Sequence, residues 1–155
     1  MFDPILEILK DKVKNGVEVY FLYDDFGCMT TLTEHYYKDL CSYGIHAMPS
    51  IKFTSKLSKI HNNRDHRKIT VIDGKVGFVG GINIADEYIN KKVKYGHWKD
   101  TAIKIEGEAV KNLTKLFLGI WNLQSKDELS YEKYLNVECK KFNNHGIVIP
   151  YGDGP

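Results

Sequence analysis

The feature that most constrains this chain is an Asp-Gly pair set between two β-rich runs. Lys68-Ile69-Thr70-Val71-Ile72 runs into Asp73-Gly74-Lys75, and Val76-Gly77-Phe78-Val79 follows. β-Branched residues fit a pleated strand. Asp and Gly tolerate the positive φ of a hairpin turn. The stretch therefore predicts a hairpin with strands over 68–72 and 76–79. Its period of two puts His66, Lys68, Thr70 and Ile72 on one face and Arg67, Ile69 and Val71 on the other. An imidazole and an ammonium thus share a side, a carboxylate closes the strand at Asp73, and Gly80-Gly81 precedes the amide of Asn83.

The rest of the chain reads as alternating helix and strand. Asp3-Pro4 is expected to open a helix with Asp3 as N-cap, carrying Leu6, Leu9 and Val13 on one face and ending at Asn15-Gly16. Residues 17–23 have too few polar side chains for a half-exposed strand and read as central in a covered sheet. Asp24-Asp25 then lies at the C-terminal strand edge, where ligands bind in open α/β sheets, or else caps the next element. A second helix is expected over 31–42, with Thr31 and Glu34 at capping-box spacing, followed by a strand over 45–48. The polar stretch 50–65 reads as a loop that could shape a binding mouth. Further on, a strand is expected over 101–106, a long helix over 108–124 with Val110, Leu113, Phe117 and Trp121 inward, and a last strand over 147–149. Such alternation gives a layered α/β fold.

A chain of 155 residues with 43% hydrophobic content can bury one domain core. No stretch approaches the length of a membrane helix or secretion signal. The net charge of +2 does not argue for nucleic acid. Cys28, Cys41 and Cys139 lack metal-ligand spacing and cannot all pair, so they read as reduced thiols.

His66 with Lys68 is not a metal site, because a charged lysine is a poor ligand and further ligands at useful spacing are missing. The pair suits an anionic substrate. Lys68 can clamp a phosphoryl group, Asn83 can donate to another of its oxygens, and His66 can attack phosphorus or act as general acid or base. A nucleophilic imidazole needs its second nitrogen held by an acceptor, and Asp73 is the local candidate. Gly80 and Gly81 would let the backbone approach a substrate closely. His-x-Lys alone is most often a surface hairpin; the spaced set of His66, Lys68, Asp73, Gly80, Gly81 and Asn83 is what argues for a site.

That set resembles the signature of the phospholipase D superfamily: His, any residue, Lys, four residues, Asp, six residues, Gly-Gly or Gly-Ser, any residue, Asn. The flanks narrow the resemblance. Tyr23-Asp24-Asp25-Phe26-Gly27, Val79 to Tyr88, Trp98-Lys99-Asp100-Thr101, Gly107 and Trp121 are similar to the first catalytic half of bacterial cardiolipin synthases, and Tyr151-Gly152-Asp153-Gly154-Pro155 resembles the start of the linker beyond it. Lys99 departs from the Arg usual there and lacks its bidentate fork.

The resemblance implies an α/β/α sandwich around a mixed β-sheet, with residues 1–155 as one phospholipase D-like catalytic domain. It implies His66, Lys68 and Asp73 as catalytic residues and Lys68 and Asn83 as phosphate ligands. Gly80, Gly81, Asp24 and Asp100 would shape the site. No metal or cofactor is required. The substrate would be phosphatidylglycerol at a membrane surface, with glycerol released and cardiolipin formed through a phosphohistidine. The enzyme would lie on the cytoplasmic side of the bacterial cell membrane, this piece itself being soluble.

Two His-Lys-Asp motifs make one such site, and this chain has one. It is expected to be the N-terminal half of a two-motif enzyme, excised and inactive alone, its partner being a second motif in the same full-length chain or a second copy. His61 is a weak stand-in for the second histidine. The competing readings are a homodimeric nuclease cutting DNA phosphodiesters by the same chemistry, which the low net charge disfavours, and a degenerate domain kept for dimerisation or docking.

Overall fold

The structure is a computed structural model and describes residues 1–50, 65–143 and 146–152. The architecture is α/β, with helices packed around sheets. In chain order the elements are α1 (Phe2–Lys14), β1 (Tyr20–Tyr23), α2 (Asp25–Cys28), α3 (Tyr36–Ser42), β2 (His46–Pro49), β3 (Lys68–Ile72), β4 (Val76–Gly80), a 3-10 turn (Asp86–Ile89), β5 (Ala102–Glu106), α4 (Val110–Gln124) and α5 (Tyr131–Leu135).

The predicted hairpin is present. β3 pairs antiparallel with β4 from Lys68↔Gly80 to Ile72↔Val76, and β4 with β5 from Val76↔Glu106 to Gly80↔Ala102. Asp73 and Gly74 both have positive φ, 53° and 65°, at the centre of a primed turn that the Lys75 N–H closes by donating to the Ile72 carbonyl at 3.0 Å, so residues 73–75 separate the paired strand ends. Ile69, Val71 and Val79 face the buried Ile105, Val110 and Leu113 beneath α4. A Cβ on Gly77 would stand 2.5 Å from the Leu113 side chain, so the missing side chain lets α4 sit close to the sheet.

β1 and β2 form a parallel pair from Tyr20↔His46 to Tyr23↔Pro49. Their core is Leu6 of α1, Val19, Leu40 of α3, Ile45 and Ala47. Complete burial of Leu40 and Ile45 contributes about 2 kcal/mol each. Among the described residues the five strands thus form two sheets, one parallel and one antiparallel, where one mixed sheet was expected. Helix contacts join them. Tyr20 meets Trp121 of α4 edge-on at 5.1 Å and shares a 3.0 Å hydroxyl hydrogen bond with Tyr134 of α5, while Lys133 pairs with Glu18 at 2.9 Å. Burial and that hydrogen bond push the Tyr20 phenol up to about 12.

Several boundaries differ from expectation. α1 starts at Phe2, so Asp3 lies in the first turn, where its charge faces the helix dipole. The strand begins at Tyr20 rather than 17, because Val17 is exposed and Glu18 is turned to Lys133; among the described residues it pairs on one side only. α3 begins at Tyr36: His35 has φ 65°, which breaks helical continuity, and the Thr31 hydroxyl donates back to the Cys28 carbonyl instead of capping. Residues 147–149 are exposed and form no strand. α5, unassigned from sequence, is capped by Ser130, whose Oγ accepts from the Lys133 N–H. The predicted loop over 50–65 and His61 fall largely or wholly outside the described residues, as do Asp153, Gly154 and Pro155.

Candidate active site

His66 stands just before β3 and is exposed. Its backbone is fixed by its neighbours. Arg67 donates to the Asp65 carboxylate through Nε at 2.7 Å and Nη2 at 3.1 Å, and its backbone N–H adds a third bond at 3.2 Å. The bidentate fork spans His66 and limits how the chain enters the strand. Lys68 Nζ donates to the His66 carbonyl at 2.6 Å, so the ammonium lies back along the strand toward His66.

Strand register brings three more groups to this end. Lys68 is opposite Gly80, and Gly80 is opposite Ala102. Asp100 lies two residues before Ala102. The Trp98 indole Nε1 donates to Asp100 Oδ2 at 3.0 Å, and the Thr101 N–H donates to Oδ1 at 2.7 Å. These bonds, the indole first, hold the Asp100 carboxyl below its ordinary range; the Gly81 N–H and the Lys68 charge act in the same direction.

Gly80 and Gly81 make this approach possible. A Cβ on Gly81 would lie 2.8 Å from Asp100 Oδ1, and one on Gly80 would lie 2.9 Å from the Ala102 Cβ and 3.0 Å from the Thr101 carbonyl. Within the domain, the glycines make room for a carboxylate and an edge strand. Asn83 is half-buried two residues beyond.

The sequence-predicted residues are therefore divided. Lys68, Gly80, Gly81 and Asp100 share one end of the β3–β5 sheet, with His66 and Asn83 flanking it. Asp73 lies in the hairpin turn at the other end, about 16 Å along the strand from Lys68 at the usual rise, with His66 further out still. A rigid strand separates it from the imidazole, which removes the geometric basis for its support of His66 within the domain. Asp24 belongs to the other sheet, at the C-terminal end of β1. Its carbonyl accepts from the Cys28 N–H at 3.1 Å, and its side chain makes no capping bond to α2. Its neighbour Asp25 lines a cavity of about 470 Å³ with Cys28, Glu34, Tyr37 and Pro49.

Two residues of the site carry roles that the sequence reading missed. Trp98 holds Asp100 through its indole, and Asn90 holds Trp98: its amide donates to the Trp98 carbonyl at 2.9 Å and accepts from the Trp98 N–H at 2.7 Å. The Trp-x-Asp spacing was a readable signal for the first contact. Nothing local in the sequence signals the second.

A histidine and a lysine thus stand at one strand end, beside two glycines and a fixed carboxylate. The chain belongs to the PLD-like domain family of cardiolipin synthases, whose family model, "Cardiolipin synthase, PLD-like domain", matches residues 2–121. Among curated proteins it is 46% identical to an uncharacterized protein of Streptococcus mutans over all of this chain and 33% of that protein. It is 46% identical to cardiolipin synthase 2 of Staphylococcus epidermidis over 94% of this chain and 30% of that protein, and 40% identical to cardiolipin synthase of Halalkalibacterium halodurans over 97% and 30%. The chain thus spans about a third of the length of these relatives. No solved structure matches it. No described helix is long and apolar enough to cross a membrane.

Proposed function

We propose that this domain supplies one His-Lys half-site of a phosphatidyltransferase that joins two phosphatidylglycerol molecules into cardiolipin and releases glycerol. The observation that carries the reading is the meeting of Lys68, Gly80, Gly81 and Asp100 at the strand end that His66 enters, in a member of this family. In the reaction, His66 attacks phosphorus and forms a phosphohistidine as the bond to the glycerol oxygen breaks. A histidine of a second motif, from another domain of the same protein or a second copy, gives its proton to that oxygen. The hydroxyl of a second phosphatidylglycerol then yields its proton to the same histidine and attacks phosphorus, freeing His66. Lys68 and Asn83 bind the phosphoryl oxygens.

Asp100, rather than Asp73, is the carboxylate suited to hold the His66 ring, since it lies at the His66 end of the sheet and remains ionised. The reaction takes place at the cytoplasmic face of the membrane. Mass spectrometry of phosphatidylglycerol micelles treated with a protein that carries this domain together with a second motif tests the reading. Cardiolipin and glycerol are expected, and neither from the His66→Ala variant. Unchanged lipid together with cleaved plasmid would replace this reading with a nuclease.

A further inference from the structure

Between Asn90 and Trp98 the chain makes a loop that the chemistry above does not use. The double hydrogen bond of the Asn90 side chain to the Trp98 backbone ties its two ends together. Asn90 takes the left-handed conformation that starts the loop, with φ 58°. Tyr88 and Tyr95 meet the Trp98 ring at 4.8 and 5.8 Å, forming an aromatic base. The loop is therefore a built projection, and it ends two residues before Asp100.

Its outer surface combines two chemistries. Val93 is 85% exposed and Tyr95 55%. Around them stand Lys91, Lys92, Lys94 and Lys99, with no acid from 90 to 99. Asp86 and Glu87 in the preceding 3-10 turn face the loop. Glu87 pairs with Lys94 at 3.5 Å, and Asp86 is held by the chain's N-terminal ammonium at 2.6 Å. Four lysines against two acids leave a net positive surface.

We infer that the Asn90–Lys99 loop is a docking element that seats the site on an anionic lipid bilayer surface. A valine tip, a tyrosine beside it and lysines around both match the layered chemistry of such a surface: acyl boundary, headgroup level and anionic phosphates. A nucleic acid would use the lysines but gain nothing from the valine. The inference rests on the lipid substrate proposed above and adds how that substrate is reached: the loop's base is continuous with Trp98 and Asp100, so docking at the tip brings the site to the headgroups.

Flotation of this chain with phosphatidylcholine vesicles, with and without phosphatidylglycerol, tests it. Binding is expected only with phosphatidylglycerol, falling by about tenfold or more for Val93→Asp and by about fivefold each for Lys91→Ala and Lys92→Ala. Val148→Asp, at another valine that is 61% exposed, should bind as the parent does. Parental affinity in Val93→Asp would overturn the inference, as would equal loss in Val148→Asp. Duplex-DNA binding that the lysine variants lose, with no vesicle binding by the parent, would also overturn it. A protein that docks through Val93 yet yields no cardiolipin would sink the proposed function and leave the docking surface standing.

Discussion

At one end of the β3–β5 sheet Gly74 and Gly107 take positive φ angles of 65° and 95°, while Gly80 and Gly81 at the other end do not. The first pair is used for turning. It is also covered: a Cβ on Gly74 would meet Val137 at 3.0 Å, and one on Gly107 would meet the Lys140 carbonyl at 3.3 Å. The second pair is used for closeness, since the space a side chain would fill there is taken by Asp100 and Ala102. One end is sealed against the segment after α5; the other holds a lysine, a carboxylate and an exposed histidine. A glycine's role is therefore to be read from what occupies its missing side chain, as much as from its φ.

Four substitutions probe this contrast. The largest effect is expected from His66→Ala in a protein with a complete site: a loss of phosphatidyl transfer on the order of 10⁴-fold, with the melting temperature held because the side chain is exposed. A comparable fall in stability would mean that His66 is structural. Gly81→Ala should lower transfer by roughly a hundredfold by displacing Asp100, with only a small change in the denaturant midpoint. Its counterpart Gly74→Ala should do the opposite, costing about 1–3 kcal/mol of unfolding free energy and leaving turnover intact. If both variants lose stability alike, the two ends do not differ as argued.

Trp98→Phe is the finest probe. It removes the largest cause of the lowered Asp100 pKa, so the carboxyl should titrate at higher pH in a carbon-detected NMR titration. The sign follows from linkage. A carboxyl held below its unfolded pKa adds stability above that unfolded value and loses it as pH falls through the folded one, so the variant should lose less stability on acidification than the parent. An unmoved titration would show that the indole bond is not the dominant influence.

The hairpin was legible because its signals are local. β-Branched alternation and Asp-Gly fixed β3, the turn and β4 within a residue, and the long apolar stripe fixed α4. The helix expected over 31–42 failed where His35 turned left-handed, a choice no periodicity records. For the candidate site the sequence named residues, but not which of them the fold brings together. Asp73 was the local candidate to hold the histidine, yet a strand carries it away at about 3.3 Å per residue. Asp100 is distant in sequence and is brought back by β5. The split into two sheets was not legible, because the contacts of Tyr20 with Trp121 and Tyr134 join residues about a hundred positions apart.

The Asp73-Gly74 turn also has a kinetic consequence. A primed turn joining two strands of five residues closes without waiting for distant chain, on the microsecond scale of hairpin formation. Lys68 is therefore set opposite Gly80 by local closure alone, whereas Asp100 arrives only when the longer connection to β5 is closed, at a greater entropic cost. The cationic member of the pair is in place first during folding, and its carboxylate is the late arrival.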